Sequence, residues 1–287
     1  MSFILWAWIS TISFGVEAVL GKLTVKHSVT NPWLFNFIWS LFILLITLVL
    51  GLFNHVGFPH DWWFIIFCAI NYAVTNLLYI IALKYIDITV LSPMFNLRMV
   101  FTVMLGVFLL NENITIYQWM LIGIITILGF IVQYDEKLKI KSFIKLGSLI
   151  ALFEMITLSF YYFFIKKAMV NNGYWEVSVW VMVIGQIIIL TTFPFFKRDL
   201  GKVKAKQLLP LLFVAIAGTL GMLCLNKANA TNISITGAIT AFPSSMILTL
   251  LISLIWPNLL EKHPPRIWAL RIISAVTMGY AALRLGG

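Results

Sequence analysis

The chain has 287 residues, of which 61% are hydrophobic and only 10% are charged. Water-soluble proteins carry charges on roughly a quarter of their residues, so this composition excludes a soluble fold and predicts an integral membrane protein. The formal net charge of +10 does not indicate nucleic-acid binding, because most lysines and arginines lie in short connections between apolar runs.

Ten apolar runs follow one another along the chain, and each has about the 20 residues that a helix needs to cross a bilayer. A helix is expected for every run, since a segment in lipid must satisfy its backbone hydrogen bonds internally. The runs are residues 3–21, 32–53, 62–83, 88–110, 116–134, 146–165, 177–196, 208–226, 233–256 and 266–285.

Similar residues recur at corresponding places in the first five and the last five runs, which indicates an internal repeat. A lysine follows the third run of each set, a proline interrupts the fourth, and a glutamate precedes a tryptophan by seven residues. The pairs are Lys84 and Lys227, Pro93 and Pro243, and Glu112–Trp119 and Glu261–Trp268. Because each set has an odd number of spans, the second repeat must insert upside down. The sequence therefore predicts an all-α integral membrane protein with ten transmembrane helices, arranged as two inverted five-helix repeats around a central cavity.

The boundaries and the orientation of the repeats follow from the polar connections. We place the first repeat at residues 1–135, a basic connecting loop at 136–145 and the second repeat at 146–287. The connections after the first, third, fifth, seventh and ninth runs hold most of the basic residues. The positive-inside rule puts these connections in the cytoplasm and both termini outside the plasma or inner cell membrane.

A pattern of residues in the first repeat is typical of one family. It consists of Phe14-Gly15 with Lys22, the stretch Tyr79–Tyr85 (YxxALKY), Glu112 directly after the fourth run, and Gly123 with Gly129 in the fifth. With its two sets of five helices, the chain resembles the drug/metabolite transporter superfamily of the EamA type over essentially its whole length. The resemblance implies a secondary carrier or exporter of small organic solutes, in which the first, fourth and sixth helices meet around the cavity. It also implies cytoplasmic termini, which is opposite to the orientation that the basic residues predict.

Charged side chains inside apolar runs indicate a functional site, because a charge in lipid is costly unless it is paired or hydrated. At 1.5 Å per residue, Arg98 lies about 15 Å, Glu154 about 12 Å and Glu17 about 6 Å from the same side of the membrane. One arginine with two glutamates leaves a net negative charge, which favours a cation or an exchangeable proton. The alternative is a buried ion-pair network that holds the repeats together. Arg271 lies about 8 Å from its helix start, so its side chain is expected to reach the interface.

Polar and aromatic residues share helix faces with these charges. Ser13 lies one turn from Glu17, and the spacings on the third and sixth helices place tyrosines and an asparagine on faces that can line a cavity. The predicted substrate-binding residues are Glu17, Arg98, Glu154, Tyr79, Tyr161, Tyr162, Asn76 and Ser13. Interhelical hydrogen bonding is the alternative for the polar faces. Trp39 and Trp180, both in the middle of a run, are candidates for cation–π contacts or for simple packing.

The favoured function is a secondary transporter, with protons as the candidate coupling ion, for an amine, a quaternary ammonium compound or an amino acid. A flippase for lipids or lipid-linked sugars and a non-transporting membrane scaffold are the alternatives. No Ser/His/Asp set, metal-ligand cluster or phosphate-binding loop occurs in the sequence, so we expect no enzyme, no cofactor and no metal site. The expected partners are the small organic solute and the lipid bilayer, and the expected state is a monomer or homodimer.

Overall fold

The computed structural model describes residues 2–27, 29, 31–85, 88–132, 146–255 and 265–285. Within these ranges the chain forms α-helices and one short 3-10 turn at Phe193–Phe195 but no β-strand, which confirms the all-α prediction. The helices are α1 (Phe3–His27), α2 (Pro32–Phe53), α3 (Trp63–Tyr85), α4 (Ile88–Leu110), α5 (Ile116–Val132), α6 (Leu146–Asn171), α7 (Tyr174–Leu190), α8 (Lys197–Leu200), α9 (Ala205–Asn229), α10 (Ile233–Thr240), α11 (Ser244–Ile255) and α12 (Pro265–Arg284).

Several of these helices have the length and apolarity of membrane spans. By length and composition, four stretches can cross a bilayer, namely Phe3–Gly21, Pro32–Phe53, Leu149–Asn171 and Ala205–Asn229. Five more apolar stretches have 10–17 residues each, namely Trp63–Tyr79, Leu97–Leu110, Ile116–Ile131, Tyr174–Leu190 and Ile233–Thr249. The count of ten spans and the boundaries of the two repeats stay predictions. The predicted basic loop at 136–145 and Glu261 lie outside the described residues.

The helices do not coincide with the apolar runs that predicted them. α1 continues past the first run to His27, and α6 continues past the sixth to Asn171. Hydropathy marks the part of a helix that lies in lipid, whereas backbone hydrogen bonding continues through the polar residues at the helix end.

The ninth run forms two helices rather than one. α10 ends at Thr240 and α11 begins at Ser244, immediately after Pro243. Proline has no backbone N–H and disfavours the helical conformation of the residue before it, which explains the break. The corresponding prediction for the first repeat is wrong, because α4 is continuous through position 93.

The packing of the helices repeats between the two sets. α1 packs against α9, and α3 packs against α6, so the first helix of each set contacts the third helix of the other. The fourth helix of each set contacts the first helix of the other, since α4 contacts α6 and the pair α10 and α11 contacts α1. The second helix of each set contacts the third helix of the other, since α2 contacts α9 and α7 contacts α3. The pairs α2–α7 and α5–α12 each join corresponding helices. This exchange of equivalent contacts is the arrangement expected of an inverted repeat.

Contacts between loops show which helix ends lie together. Asn172, at the end of α6, accepts hydrogen bonds through Oδ1 from the N–H groups of His60 and Asp61, just before α3. Asn31, just before α2, donates to Asp199 in α8 at 2.8 Å. We call the side of the bundle where α1 and α3 begin side A, and the side where α2, α4 and α6 begin side B.

Candidate functional site

The three predicted intramembrane charges lie at nearly one depth. Counted from the side B ends of α4 and α6, Arg98 lies about 15 Å and Glu154 about 12 Å deep. Glu17 lies about 15 Å from the side B end of α1 at His27, compared with about 6 Å from the end of the apolar run at Gly21. We refer to Glu17, Arg98 and Glu154 as the charged layer.

Arg98 lies near Glu154 without forming an ion pair with it. The guanidinium interacts electrostatically with Glu154 and Tyr162, and it stands 5.8 Å from the centre of the Tyr162 ring. Among the described side chains, ion pairs with an N–O distance of 4.0 Å or less occur only outside the charged layer. The ion-pair network that the sequence allowed as an alternative therefore has no direct contact between Arg98 and either glutamate.

The Glu17 carboxylate lies against α9 and close to α2. A Cβ atom at Gly218 of α9 would overlap with Glu17 Oε1, so a larger residue there would require the carboxylate to move. The indole of Trp39 on α2 also approaches it, yet Trp39 Nε1 and Glu17 Oε1 are both buried without a partner at hydrogen-bonding distance. Ser13, one turn earlier on α1, is buried as well. Unpaired polar atoms are costly at this depth, and a ligand that pairs with them removes that cost.

Helix α3 connects the two glutamates. Tyr79 interacts electrostatically with both Glu154 and Glu17, and 36% of its surface is accessible. Tyr72, two turns earlier, interacts with Glu17 and lies beside the Asn76 amide. The Tyr72 hydroxyl and Asn76 Nδ2 are buried without a partner at hydrogen-bonding distance. The structure thus brings Tyr79 and Asn76 to the charged layer.

A row of tyrosine rings joins the charged layer to α9. The rings of Tyr72 and Tyr161 are 6.2 Å apart, and those of Tyr161 and Tyr162 are 5.8 Å apart. The Tyr161 hydroxyl donates a hydrogen bond of 3.3 Å to Asn226 Oδ1. Tyr161 and Tyr162 are almost fully buried, so they act as a packed wall rather than as an accessible surface.

Sequence reasoning missed Tyr72 and Asn226 as neighbours of this site. Tyr72, Asn76 and Tyr79 are spaced by four and three residues, and this spacing is a signal that would have placed Tyr72 on the same face of α3. Asn226 has no such signal, because an isolated amide in an apolar run can face lipid, a neighbouring helix or a site.

The two mid-run tryptophans differ in position. Trp39 approaches Glu17, as described above. Trp180 stacks on Phe58 with ring centres 5.2 Å apart, meets Trp62 edge-on at 5.2 Å and donates to the Gly57 carbonyl at 2.9 Å. Trp180 therefore anchors the loop before α3 at side A, which makes packing its role.

The first helices of the two repeats carry polar faces of identical spacing. Ser10, Ser13 and Glu17 on α1 match Glu154, Thr157 and Tyr161 on α6. Both faces meet the third helix of the other repeat, since Glu17 contacts Gly218 and the Thr75 hydroxyl donates to Thr157 Oγ1 at 2.9 Å. Gly218 and Thr75 each lie nine residues before the lysine that marks the end of that helix, Lys227 and Lys84. The two faces are therefore equivalent, but their carboxylates are not at equivalent positions. Glu17 is the last residue of its face, whereas Glu154 is the first residue of the other.

The break between α10 and α11 lies directly against α1. The Ser244 hydroxyl, at the start of α11, donates a hydrogen bond of 2.6 Å to the carbonyl of Thr11. A Cβ atom at Gly15 would lie 2.9 Å from Ser244 Cβ, so the glycine allows this close approach. Discontinuous helices beside a site near the membrane centre are a recurring feature of secondary transporters.

A hydrogen-bonded cluster joins the two repeats at side A. Asn111 follows α4 in the left-handed conformation, with φ of 51°, and turns the chain so that Glu112 meets the start of α10. Glu112 Oε1 accepts from Lys166 Nζ at 2.6 Å and from the Ile233 N–H at 2.8 Å. Glu112 Oε2 accepts from the N–H of Ser234 at 3.0 Å and from its hydroxyl at 2.6 Å. We call Glu112, Lys166, Ile233 and Ser234 the clamp.

Two further predictions concern groups away from the charged layer. The Arg271 guanidinium lies 5.9 Å from the centre of the Trp268 ring, near the start of α12, where an interfacial position is expected. In the part of the chain that the structure describes, no group of three or more His, Cys, Asp or Glu residues could hold a metal ion.

Comparison with known proteins addresses the family and the fold. The model of the EamA-like transporter family matches residues 1–133 and again residues 145–280. A protein described only as "Crystal structure of protein" superposes with a TM-score of 0.76 at 14% sequence identity, covering 100% of this chain and 99% of that one. At this identity the likeness shows the fold alone. No curated protein sequence matches the chain.

Proposed function

Because this chain belongs to the EamA-like transporter family, and so is a membrane transporter of small solutes, we propose that its substrate is a small organic cation. An amine, a quaternary ammonium compound and an amino acid all carry the required positive charge. The observation that carries the proposal is the charged layer, in which Arg98 lies near Glu154 without a direct ion pair and Tyr79 lies near both Glu154 and the buried Glu17.

The charge of the layer favours a cation. With both glutamates ionised, two negative charges face one positive charge. Glu17 Oε1 and Glu154 Oε2 are buried and lack hydrogen-bond partners at bonding distance. An unpaired carboxylate in a low-dielectric environment binds either a proton or another cation. Exchange of these two at the same oxygens is the simplest form of proton coupling, and we propose it here.

The surroundings of the two glutamates suit an ammonium group. Trp39 and Tyr72 lie close to Glu17, and aromatic faces attract quaternary ammonium groups beside a carboxylate. Arg98 lies on the other side of the layer, near Glu154, where it can meet the carboxylate of an amino acid. The two alternatives, a flippase for lipids or lipid-linked sugars and a non-transporting scaffold, stay predictions that no described contact favours.

The proposal is tested by comparing choline with its neutral carbon isostere, dimethylbutanol, in binding to the purified protein and in transport by proteoliposomes. Choline should bind and the isostere should not. Glu17→Gln should weaken choline binding by roughly tenfold or more, equivalent to about 1.4 kcal/mol. Glu176→Gln makes the same chemical change at the start of α7 and should leave binding unchanged. Equal binding of the two isosteres, or unchanged binding by Glu17→Gln, would overturn the assignment.

A further inference from the structure

Two asparagines near the side A end of α9 are buried with unused hydrogen-bonding groups. Asn226 and Asn229 are both 0% exposed, and they lie one turn apart on the same face. Both polar atoms of the Asn229 amide lack a partner at hydrogen-bonding distance, and so does Asn226 Nδ2. Asn226 Oδ1 is used, because it accepts from the Tyr161 hydroxyl.

Two unpartnered hydroxyls belong to helices that contact α9. Ser10 on α1 and Thr236 on α10 are fully buried, and neither hydroxyl has a hydrogen-bond partner. In the antiparallel contact of α1 with α9, Phe14 meets Gly221 and Trp6 lies 4.9 Å from the ammonium of Lys227. This register brings Ser10 to the level of Asn226. α10 contacts both α1 and α9.

These four polar residues lie between the charged layer and the clamp. Gly218, which contacts Glu17, and Asn226 are eight residues apart, a distance of about 12 Å along α9. The tyrosine row described above runs from Arg98 through Tyr162 and Tyr161 to Asn226. A continuous row of contacting side chains therefore joins the polar group to the charged layer.

A structural role accounts for Asn226 Oδ1, which accepts from Tyr161, but not for the other polar atoms of the two amides. Buried amides without partners destabilise a fold, whereas apolar side chains of similar size do not. When the two repeats are aligned on Lys84 and Lys227, the first repeat has Leu83 and Ile86 at the positions of Asn226 and Asn229. The sequence thus has apolar residues at the equivalent places of the first repeat.

We propose that Asn226, Asn229, Ser10 and Thr236 form a second binding subsite, which takes an uncharged hydrogen-bonding group of the substrate. A hydroxyl or carboxamide fits, since each both donates and accepts, and Asn229 offers a free donor and a free acceptor. The inference rests on the proposed function, with the ammonium group at the charged layer. Given the spacing along α9, the substrate is an elongated cation with about 10 Å between its ammonium and its polar end.

The test uses two pairs of quaternary ammonium compounds in which a hydroxyl is replaced by a methyl group. The long pair is hydroxyhexyl-trimethylammonium and heptyl-trimethylammonium, and the short pair is choline and propyl-trimethylammonium. The wild-type protein should bind the long hydroxyl compound at least about tenfold more tightly than its methyl analogue, because the analogue leaves the amides unpaired. The short pair should show no such preference, since choline cannot reach Asn226 from Glu17.

Two variants locate the effect. Asn226→Leu and Asn229→Leu should abolish the hydroxyl preference of the long pair and leave the affinity for the heptyl compound within about twofold. Asn229→Leu should unfold at the same temperature as wild type or higher, whereas Asn226→Leu should unfold at a lower temperature because the buried Tyr161 hydroxyl loses its acceptor. Equal binding of the two long compounds, or an equal hydroxyl preference in both pairs, overturns the subsite and leaves the proposed function standing. If no compound of either pair binds, both proposals fail. The wild-type comparison decides the question even if a variant does not fold.

Discussion

The clamp allows a stability prediction that can be worked from its geometry. The Glu112 side chain is 5% exposed and serves four donors, whereas Lys166 is 20% exposed and also donates to the Thr231 carbonyl at 2.7 Å. Glu112→Ala leaves the Lys166 ammonium and two backbone N–H groups without their acceptor. Removing one partner of a buried pair costs about 3–5 kcal/mol. The remaining bond to Thr231 and the partial exposure of Lys166 offset part of this loss, so we expect about 3 kcal/mol.

Equilibrium unfolding of the purified protein in mixed micelles measures this loss. Glu176→Ala is the matched control, because Glu176 accepts one hydrogen bond from the Gly173 N–H and its loss should cost about 1 kcal/mol. A double-mutant cycle of Glu112→Gln with Lys166→Met should give a coupling energy of about 2 kcal/mol. A loss for Glu112→Ala no larger than that of the control, or a coupling energy near zero, would refute a clamp that joins the repeats.

Three other substitutions test the packing, the site and the orientation. Gly106→Ala should destabilise the protein by roughly 1–3 kcal/mol, the usual cost of overpacking, because the added Cβ would overlap with the clamp. Gly123→Ala is the control in the same unfolding assay. Its Cβ would meet nothing within 4 Å, so it should stabilise the protein by about 0.5–1 kcal/mol. Gly218→Ala should displace the Glu17 carboxylate and weaken choline binding by roughly tenfold, whereas Gly123→Ala should not, as measured by binding titration. With side B in the cytoplasm, Lys202→Cys should react with a membrane-impermeant maleimide only after cells are opened, and labelling of intact cells would place side B outside.

The fold was largely predictable from the sequence, because lipid imposes helices on long apolar runs and the repeated residues mark corresponding helices. The ends of the helices and the division of the ninth run into two helices were harder to predict. The apolar run ends at Gly21, whereas α1 continues to His27 because backbone hydrogen bonding passes through the polar residues that follow. A proline in an apolar run does not by itself predict a helix break, since the helix is interrupted at Pro243 but continues through position 93. Neighbouring helices, which the sequence does not show, decide whether a proline in lipid breaks its helix.

The site was predictable only in part. A charge inside an apolar run is conspicuous in any sequence, so Glu17, Arg98 and Glu154 could be found from their cost in lipid. The sequence places Glu17 about 6 Å from the end of its apolar run, but it does not show that α1 continues to His27. Trp39 was a candidate for a cation–π contact, but the sequence could not show that Trp39 and Gly218 lie beside Glu17, because this follows from the packing of α1 and α2 on α9.

The departures from symmetry explain how an inverted repeat builds one charged layer. Inversion carries equivalent positions to mirrored depths, so acids at matching places on α1 and α6 could not share a level away from the membrane centre. The match of Glu17 is Tyr161, which lies seven residues, or about 10 Å, farther from side B than Glu154. Only because the two glutamates occupy non-equivalent places do they face the same layer. Asn226 and Asn229 depart from symmetry in the same way, and we infer that the symmetric residues form the scaffold while the asymmetric ones bind the substrate.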